Sequence, residues 1–414
     1  MSSPTDPPAL RRAAHRFGTP LYVTDLAILA RAAGDVRDAF PDPWVRQYSV
    51  KANDVPAVIA AVAGHGFGAN VVSRGEWSAA AAAGLPNDRI TLEGIGKTPA
   101  DLRAAARVAG DGRPLRWVAV ESADEAAALA AIVRRQGGGR LDVLYRLNPD
   151  VVPETLAGLA VGAGASKFGM TETELADAIS AGGGPDGPLR PRGIHLHVGS
   201  QLGAVDAWRD AVRRALAVAA LWRGSIDDFD TLDVGGGFPV FDASTPAPAP
   251  ARFARELPRL LEAVPGDRRP RRLAVEPGRY LVARAGWLVS RVLHARERGG
   301  RQVVLDAGMT ELVRPALYGA RHAIRALTSL GRSIDDGGAG PTVEPTRVEG
   351  PICETTDSLG VHVLPPLRRG DLVAIADAGA YAASQSSTYN GRARPAQVLL
   401  DGSGGLALGR RRLA

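Results

Sequence analysis

The sequence predicts a (β/α)8, TIM-like barrel followed by a C-terminal β-barrel-like domain, and three observations carry that prediction. From residue 45 to residue 276, short β-branched-rich runs alternate with longer Ala-rich helical stretches. After Arg279 the alternation stops, and strand-like runs separated by Gly/Pro/Asp turns take over. Unusual polar residues fall at the ends of the alternating strands, where a barrel gathers its reactive groups.

In chain order, Pro20–Val23 reads as a strand that could join the second domain, and Asp25–Phe40 reads as a helix. Barrel strands are expected at Val45–Val50, Ala69–Val72, Ile90–Glu93, Trp117–Val120, Leu141–Leu147, Gly193–Val198, Thr231–Val234 and Leu273–Glu276. Helical patterns fill the gaps at Val55–Gly64, Glu76–Gly84, Pro99–Val108, Ala123–Arg135, Glu172–Ala181, Ala204–Leu221 and Ala251–Val264. Eight strands and eight helices in roughly 230 residues match the size of such a barrel. A doubly wound sheet is the alternative, because periodicity alone cannot close a barrel. Residues 25–285 are assigned to the barrel, and 1–24 with 286–414 to the β domain. Strands of the latter are expected at Trp287–Leu293, Gln302–Asp306, Thr342–Val348, Leu372–Ala376 and Ala396–Leu400, and the Gly/Asp-rich loop Ser333–Pro345 is expected to be mobile.

Composition narrows the class. The chain has 414 residues, net charge +6, 45% hydrophobic and 23% charged residues, enough apolar material for a packed core and too much for wholesale disorder. It holds no run of eighteen apolar residues, and MSSPTDPPAL lacks the pattern of a signal peptide, so a soluble cytoplasmic protein is expected. The single Cys353 excludes an internal disulfide and a cysteine-cluster metal site. The seven histidines show no ligand spacing, and no metal is expected. The arginine-rich stretches Arg268–Arg272 and Arg410–Arg412 are short and lack aromatics, and read as solvated faces rather than a nucleic-acid surface. Lysine is scarce: Lys51, Lys97 and Lys167 stand against 47 arginines. Arginine cannot deprotonate to attack a carbonyl; lysine can.

Position then singles out candidates. Lys51 ends the first barrel strand in Tyr48-Ser-Val-Lys-Ala-Asn53; Ser73 and Glu76 follow the second, and Lys97 the third. Arg146 and Asn148 close the fifth, His197 ends the sixth, Gly235–Gly237 follow the seventh, and Glu276 ends the eighth. A strand-end lysine is often a solvent-facing gatekeeper, but the scarcity of lysine and the apolar strand before Lys51 argue for chemistry there. His195 and His197 alternate along one strand and are expected to share the face toward the barrel mouth. Glycine triplets begin at Gly137, Gly182 and Gly235. The first reads as a helix cap and the second as a loop, whereas the third follows an apolar strand, where free N–H groups can cradle a phosphate. A Schiff-base lysine (Lys51), a phosphate cradle, a ring-stacking histidine (His197) and a carboxylate (Glu276) together describe pyridoxal 5'-phosphate. The carboxylate would keep the pyridine nitrogen protonated.

An ordered series of motifs extends this reading: Tyr48-Ser-Val-Lys-Ala-Asn, Val71-Val-Ser-Arg-Gly-Glu, Ser166-Lys-Phe-Gly, His195-Leu-His-Val-Gly-Ser-Gln and Asp233-Val-Gly-Gly-Gly-Phe-Pro. Glu276-Pro-Gly-Arg, Arg314-Pro-Ala-Leu-Tyr, Gly350-Pro-Ile-Cys-Glu and Gly379-Ala-Tyr follow. Over nearly its whole length the chain resembles the fold-type III, alanine racemase/ornithine decarboxylase-like pyridoxal phosphate-dependent decarboxylases, and within them the diaminopimelate decarboxylases. The resemblance implies that Lys51 carries the cofactor, His197 stacks on its ring and Glu276 pairs with its nitrogen. It implies that Ser200, Gly235, Gly236, Gly237, Gly278, Arg279 and Tyr381 surround the phosphate. Arg279, Arg314, Tyr318 and Tyr381 would contact substrate, Cys353 would return a proton after CO2 leaves, and Glu354 would bind a distal amino group. It further implies a homodimer in which Cys353 and Glu354 come from the partner subunit, with Lys167 and Asp357 as an ion pair across the interface. Asn70 and Arg74 stand where the family usually has Asp and Gly, and Thr355 where it commonly has serine. The implied reaction is decarboxylation of meso-diaminopimelate to L-lysine in lysine biosynthesis. A related decarboxylase of a carrier-protein-bound or other basic amino acid, with an acyl carrier protein as partner, is the alternative. An amino-acid racemase is disfavoured by the Cys353–Glu354 pair, and a non-catalytic cofactor-binding barrel by the residues after Arg279.

Overall fold

The computed structural model describes residues 5–137, 139–155, 161–162, 166–241, 247–334 and 342–413. The chain divides into two compact units, one beginning at Ala33 and ending at Gly278, the other built from the stretch ending at Ala32 together with Arg279–Ala414. Among the described residues no helix is long and apolar enough to cross a membrane.

Three elements precede the barrel strands: the helix Pro7–Phe17 (α1), the strand Leu21–Asp25 (β1) and the helix Leu26–Ala39 (α2). The sequence reading did not anticipate α1. Its signals are a proline at the first helical position, Ala9, Leu10, Ala13 and Ala14 buried along one stripe, and Gly18 at its end with φ 75°.

The first unit is a closed barrel of eight parallel strands: Val45–Ser49 (β2), Gly68–Val71 (β3), Ile90–Leu92 (β4), Trp117–Val120 (β5), Leu141–Arg146 (β6), Leu189–His195 (β7), Thr231–Asp233 (β8) and Arg272–Val275 (β9). Closure is the pairing of β2 with β9, Val45 opposite Ala274, which rules out the doubly wound alternative. Strands covered on both faces must be apolar throughout, and β5 (Trp-Val-Ala-Val) is buried at every position. The helices between them are Pro56–Ala63 (α3), Arg74–Ala82 (α4), Pro99–Gly110 (α5), Ala123–Arg135 (α6), Glu172–Ala181 (α7), Asp206–Arg223 (α8), Pro250–Ala254 (α9) and Leu257–Glu262 (α10). Side-chain caps set several of their starts: Thr98 with Asp101 and Thr171 with Glu174 form reciprocal capping boxes, and Ser73 and Ser122 accept N–H groups of their first turns.

Two expectations change here. The single helix expected over Ala251–Val264 is two short ones, because Pro258 lacks the N–H that would continue the first and instead opens the second. The sixth barrel strand begins at Leu189 and stops at His195. Pro191, which conceals its start in the sequence, sits beside a register shift in the pairing with β6, where a missing N–H is tolerated.

The second unit continues with Gly286–Glu297 (β10), Arg301–Leu305 (β11), Ile324–Ala326 (β12), Thr328–Ser329 (β13), Arg332–Ser333 (β14), Glu344–Glu349 (β15), Ser358–Leu364 (β16), Leu372–Ile375 (β17), Ala396–Leu400 (β18) and Leu406–Arg410 (β19). Among the described residues nine of its strands form one sheet in the order β16-β15-β11-β10-β1-β18-β19, with β17 branching from β10 and carrying β12. The expected early strand does join it: β1 lies antiparallel to β10 and parallel to β18. Alternation on β1 feeds two cores, Leu21 and Val23 packing with α1, and Tyr22 with Leu288, Val303 and Leu305. Strands β12, β16 and β19 were not anticipated. Of the loop expected to be mobile, residues 335–341 lie outside the described residues.

Candidate active site

The rim of the barrel unit is built where its strands stop. Strand β2 ends at Ser49 and the chain enters a 3-10 turn, Val50–Ala52, so Lys51 stands just beyond the strand and is half-buried. Ser49 stitches this turn to the segment after β9. Its N–H donates to the Pro277 carbonyl (3.1 Å) and its Oγ to the Glu276 carbonyl (3.1 Å). A Cβ on Gly278 would stand 3.0 Å from that of Ser49, so glycine lets the two segments approach. Lys51 is thereby set among acids and histidines, its charge acting on Glu76, Glu93, Glu276, His195 and His197.

The other two lysines are spent elsewhere. Lys97 is fully buried in an ion pair with Glu125 at 3.0 Å. Lys167 is exposed, with Nζ 5.2 Å from the centre of the Phe168 ring.

Glu276 is 4% exposed, and burial raises its carboxyl above the ordinary value. Its Oε1 has no hydrogen-bond partner, and Oε2 lies 3.5 Å from Nε2 of His195. A dry carboxylate with an unused oxygen, close to a lysine, fits the protonated ring nitrogen of pyridoxal phosphate. His195 and His197 do not alternate along one strand as expected: His195 closes β7 and His197 lies past it. His195 is 1% exposed and faces Glu93 (3.4 Å) and Glu276; burial pulls its pKa down to about 4, so the ring is neutral. His197 accepts the Gly236 N–H at Nδ1 (3.2 Å), and burial, then the Lys51 charge, keep it neutral too. A neutral half-buried ring suits stacking.

The glycine triplet differs from a row of free donors. Gly235 donates its N–H to Asp233 Oδ1 (2.9 Å) and Gly236 to His197, which leaves Gly237 as the remaining donor of the three. The requirement for glycine is largely steric: Gly235 has φ 67°, and a Cβ on Gly236 would come within 2.2 Å of the Glu276 carbonyl oxygen. Beside the triplet, Ser200 is held by Thr155, whose Oγ1 donates to its carbonyl, and by Gln201, which clamps Val240 through both amide atoms (2.7 and 2.8 Å). A stretch of backbone free of side chains at Gly235–Gly237 suits a phosphate.

Sequence reasoning missed three buried acids at this rim. Glu93 follows β4, Glu121 follows β5, and Asp233 ends β8; they are 3%, 8% and 0% exposed. Each lies at a strand end, so the rule that found Lys51 could have found them. Glu121 pairs with Arg146 at 2.7 Å, and Asn70 donates to Glu93 at 2.9 Å. Arg74 is exposed and its charge acts on Asp101, which against burial is pulled below the ordinary carboxylate value by Thr98 and then Arg74.

The second unit carries the other candidates. Arg279 opens the short helix Arg279–Val282 (α11), with its Cζ 4.5 Å from the centre of the Tyr381 ring. Arg314 opens Arg314–Tyr318 (α12), with its Cζ 5.7 Å from the Tyr318 ring. Both arginines are 6% exposed; burial, then the charge of Arg279, pulls Arg314 down to about 10. Among the described residues no carboxylate pairs with Arg314. Tyr381 is held at φ 57°, a conformation that costs a side-chain-bearing residue roughly 1–3 kcal/mol and often marks functional positions. Cys353 and Glu354 are exposed on a loop; Asn390 Nδ2 donates to Cys353 Sγ at 3.4 Å, and Glu354 accepts from Thr356 at 3.3 Å and raises the pKa of Tyr389. Asp357, expected to pair with Lys167 across a subunit interface, is 2% exposed in the single chain, where its carboxylate accepts the N–H groups of Met309 (2.5 Å) and Ile352 (2.7 Å).

With the barrel, the rim lysine and the buried carboxylate in place, residues 26–283 match the family described as pyridoxal-dependent decarboxylase, pyridoxal binding domain, and the chain belongs to that family. Among curated relatives it is 36% identical to the diaminopimelate decarboxylase of Deinococcus radiodurans, over 95% of this chain and 93% of that one. It is 34% identical to that of Aquifex aeolicus, over 98% and 91%. Among solved structures it is similar to diaminopimelate decarboxylase from Helicobacter pylori complexed with L-lysine, with TM-score 0.87, 29% identity, and 98% and 96% of the two chains covered.

Proposed function

We infer that this chain is a pyridoxal phosphate-dependent carboxy-lyase that converts meso-diaminopimelate to L-lysine and CO2. The observation that carries the substrate reading is the buried arginine pair, Arg279 and Arg314, the latter without an acidic partner among the described residues. Two desolvated guanidiniums call for an anion, and planar forks favour a carboxylate. The curated relatives named above share the activity and match the chain over nearly its full length.

Bound pyridoxal phosphate supplies the electron sink that lets the Cα–carboxylate bond break. Lys51 would be the amine that attaches it, His197 would stack on its ring, and Glu276 would keep its ring nitrogen protonated. Gly237, Gly278 and Ser200 wall its phosphate, with Arg279 and Tyr381 as further contacts. Arg279, Arg314, Tyr318 and Tyr381 hold the distal carboxylate, and Glu354 the distal ammonium. Cys353 returns a proton to Cα. Exposure of Cys353 and Glu354 in the single chain supports a homodimer in which each subunit lends this loop to the other's site.

The deciding assay measures CO2 release from meso-diaminopimelate, lysine, ornithine and arginine, free and carrier-bound. Turnover of free meso-diaminopimelate well above the rest is expected. Release from a carrier-bound amino acid alone would overturn the substrate reading.

A further inference from the structure

Beneath the rim lies a buried acid cluster with more carboxyls than nearby cations. The ligand-type atoms of Glu93, His195 and Glu276 all lie within 4.8 Å of one another. Glu93 Oε2 and Glu276 Oε2 approach the same histidine nitrogen at 3.4 and 3.5 Å. Asp233 is fully buried behind them, one oxygen taken by Gly235 N–H and the other unpartnered. The charges facing Glu93 are Glu276, Asp233, His195 and Lys51. His195 is neutral, and Arg146 is committed to Glu121, so Lys51 alone cannot balance three buried anions.

More than one carboxyl must therefore keep its proton: burial pushes Asp233 well above the ordinary value, and the contacts around Glu93 mark it as a second. The Asn70 amide donates to Glu93 Oε2 at 2.9 Å, fixing that oxygen as the acceptor. Glu93 Oε1 is buried and accepts no N–H or O–H, which leaves it to carry the proton of a hydrogen bond between the Glu93 and Glu276 carboxyls. Burial and then the Glu276 charge push this carboxyl up to about 8.

We propose that Glu93 is a positioning residue whose protonated carboxyl donates to Glu276, keeping Glu276 ionised and aimed at the cofactor's ring nitrogen while Asn70 fixes Glu93. The proposal rests on the cofactor reading above. It gives the departure at Asn70 a reason: an amide donates to Glu93 where a carboxylate would add a fourth acid.

Glu93→Gln preserves both contacts, its oxygen accepting from Asn70 and its N–H donating to Glu276, but has no proton to lose. Glu93→Ala has neither contact. In the holoenzyme at neutral pH, infrared spectra should show C=O stretching of buried carboxylic acids, weaker by one group in Glu93→Gln. Pyridoxal phosphate affinity should stay within about threefold in Glu93→Gln and fall about tenfold or more in Glu93→Ala. An alkaline decline in kcat/KM in the parent should disappear in Glu93→Gln. An undiminished infrared band in Glu93→Gln, equal loss of cofactor in both variants, or a stoichiometric divalent metal in the purified protein that Glu93→Gln removes would each overturn the proposal. A parent that binds no pyridoxal phosphate would instead overturn the cofactor reading, and the infrared comparison would still decide where the proton lies.

Discussion

Replacing Arg146 with methionine tests the electrostatic frame of the barrel rim. Its Nη1 lies 2.7 Å from Oε1 of Glu121, the side chains are 8% and 4% exposed, and its guanidinium also covers the Phe168 ring at 4.9 Å. Methionine fills much of the same volume but leaves Glu121 with the Gly169 N–H at 3.3 Å and the Lys97 charge as compensation. Removing one partner of a buried pair costs about 3–5 kcal/mol, and the remaining Lys97 attraction puts the expectation at the lower end, about 3 kcal/mol. That is a large share of the roughly 5–15 kcal/mol that holds a typical domain folded. The sign with pH follows from Glu121: burial raises its carboxyl, but Arg146 and Lys97 outweigh this and hold it below the ordinary 4.5. Such a group stabilises above its unfolded pKa, and the contribution disappears as pH falls through the lower folded value. The loss on Arg146→Met should therefore be full near neutrality and shrink toward about pH 4, where the orphaned Glu121 binds a proton. Urea titrations followed by tryptophan fluorescence at the two pH values measure both. Arg146→Met combined with Glu121→Leu should recover most of the stability, because the desolvation penalty leaves with the pair. A loss under about 1 kcal/mol near neutrality, or a double variant no more stable than the single, would refute the reasoning.

Three further outcomes are expected. Borohydride reduction followed by peptide mapping should place the cofactor on Lys51; an adduct on Lys97 would show that its ion pair with Glu125 opens and that the rim has been misread. Glu354→Ala should depress turnover of meso-diaminopimelate by about 30-fold to about 5,000-fold, as about 2–5 kcal/mol for a lost charged partner implies, with cofactor absorbance unchanged; turnover within about fivefold of the parent would free Glu354 from any role at the distal amine. Lys51→Ala and Cys353→Ala should each be nearly inactive, yet mixing them with subunit exchange should restore about a quarter of the activity, since half of randomly paired dimers are mixed and each has one intact site of two. No recovery after verified exchange would mean that each residue serves its own chain.

How much of this was legible in the sequence depended on whether a feature is local. Barrel strands such as Trp117–Val120 and helices such as Ala123–Arg135 and Glu172–Ala181 announced themselves because their apolar pattern and caps lie within a dozen residues. Helix α1 escaped because its buried stripe is mostly alanine beside arginines, and what holds it is packing both on neighbouring β1 and on residues more than 270 positions away, Val289 and Leu372 among them. At the site, position picked out Lys51 where composition alone could not. All three lysines are equally rare, and only folding shows that Lys97 is consumed by Glu125 and Lys167 is exposed at Phe168.

The acids were hidden for a different reason. A glutamate just after a strand reads the same whether it faces solvent or the barrel mouth, and the deciding contacts cross between strands far apart in sequence. Glu93 after β4 meets His195 on β7 and Glu276 after β9 only because the barrel closes. Once it closes, burial without enough cations turns those three side chains into one proton-sharing group. Asn70 then acquires meaning as the donor that suits a protonated Glu93 rather than as a departure from a motif. The motifs thus point to the groups proposed to hold cofactor and substrate, whereas the charge state of those groups is a property of the closed barrel.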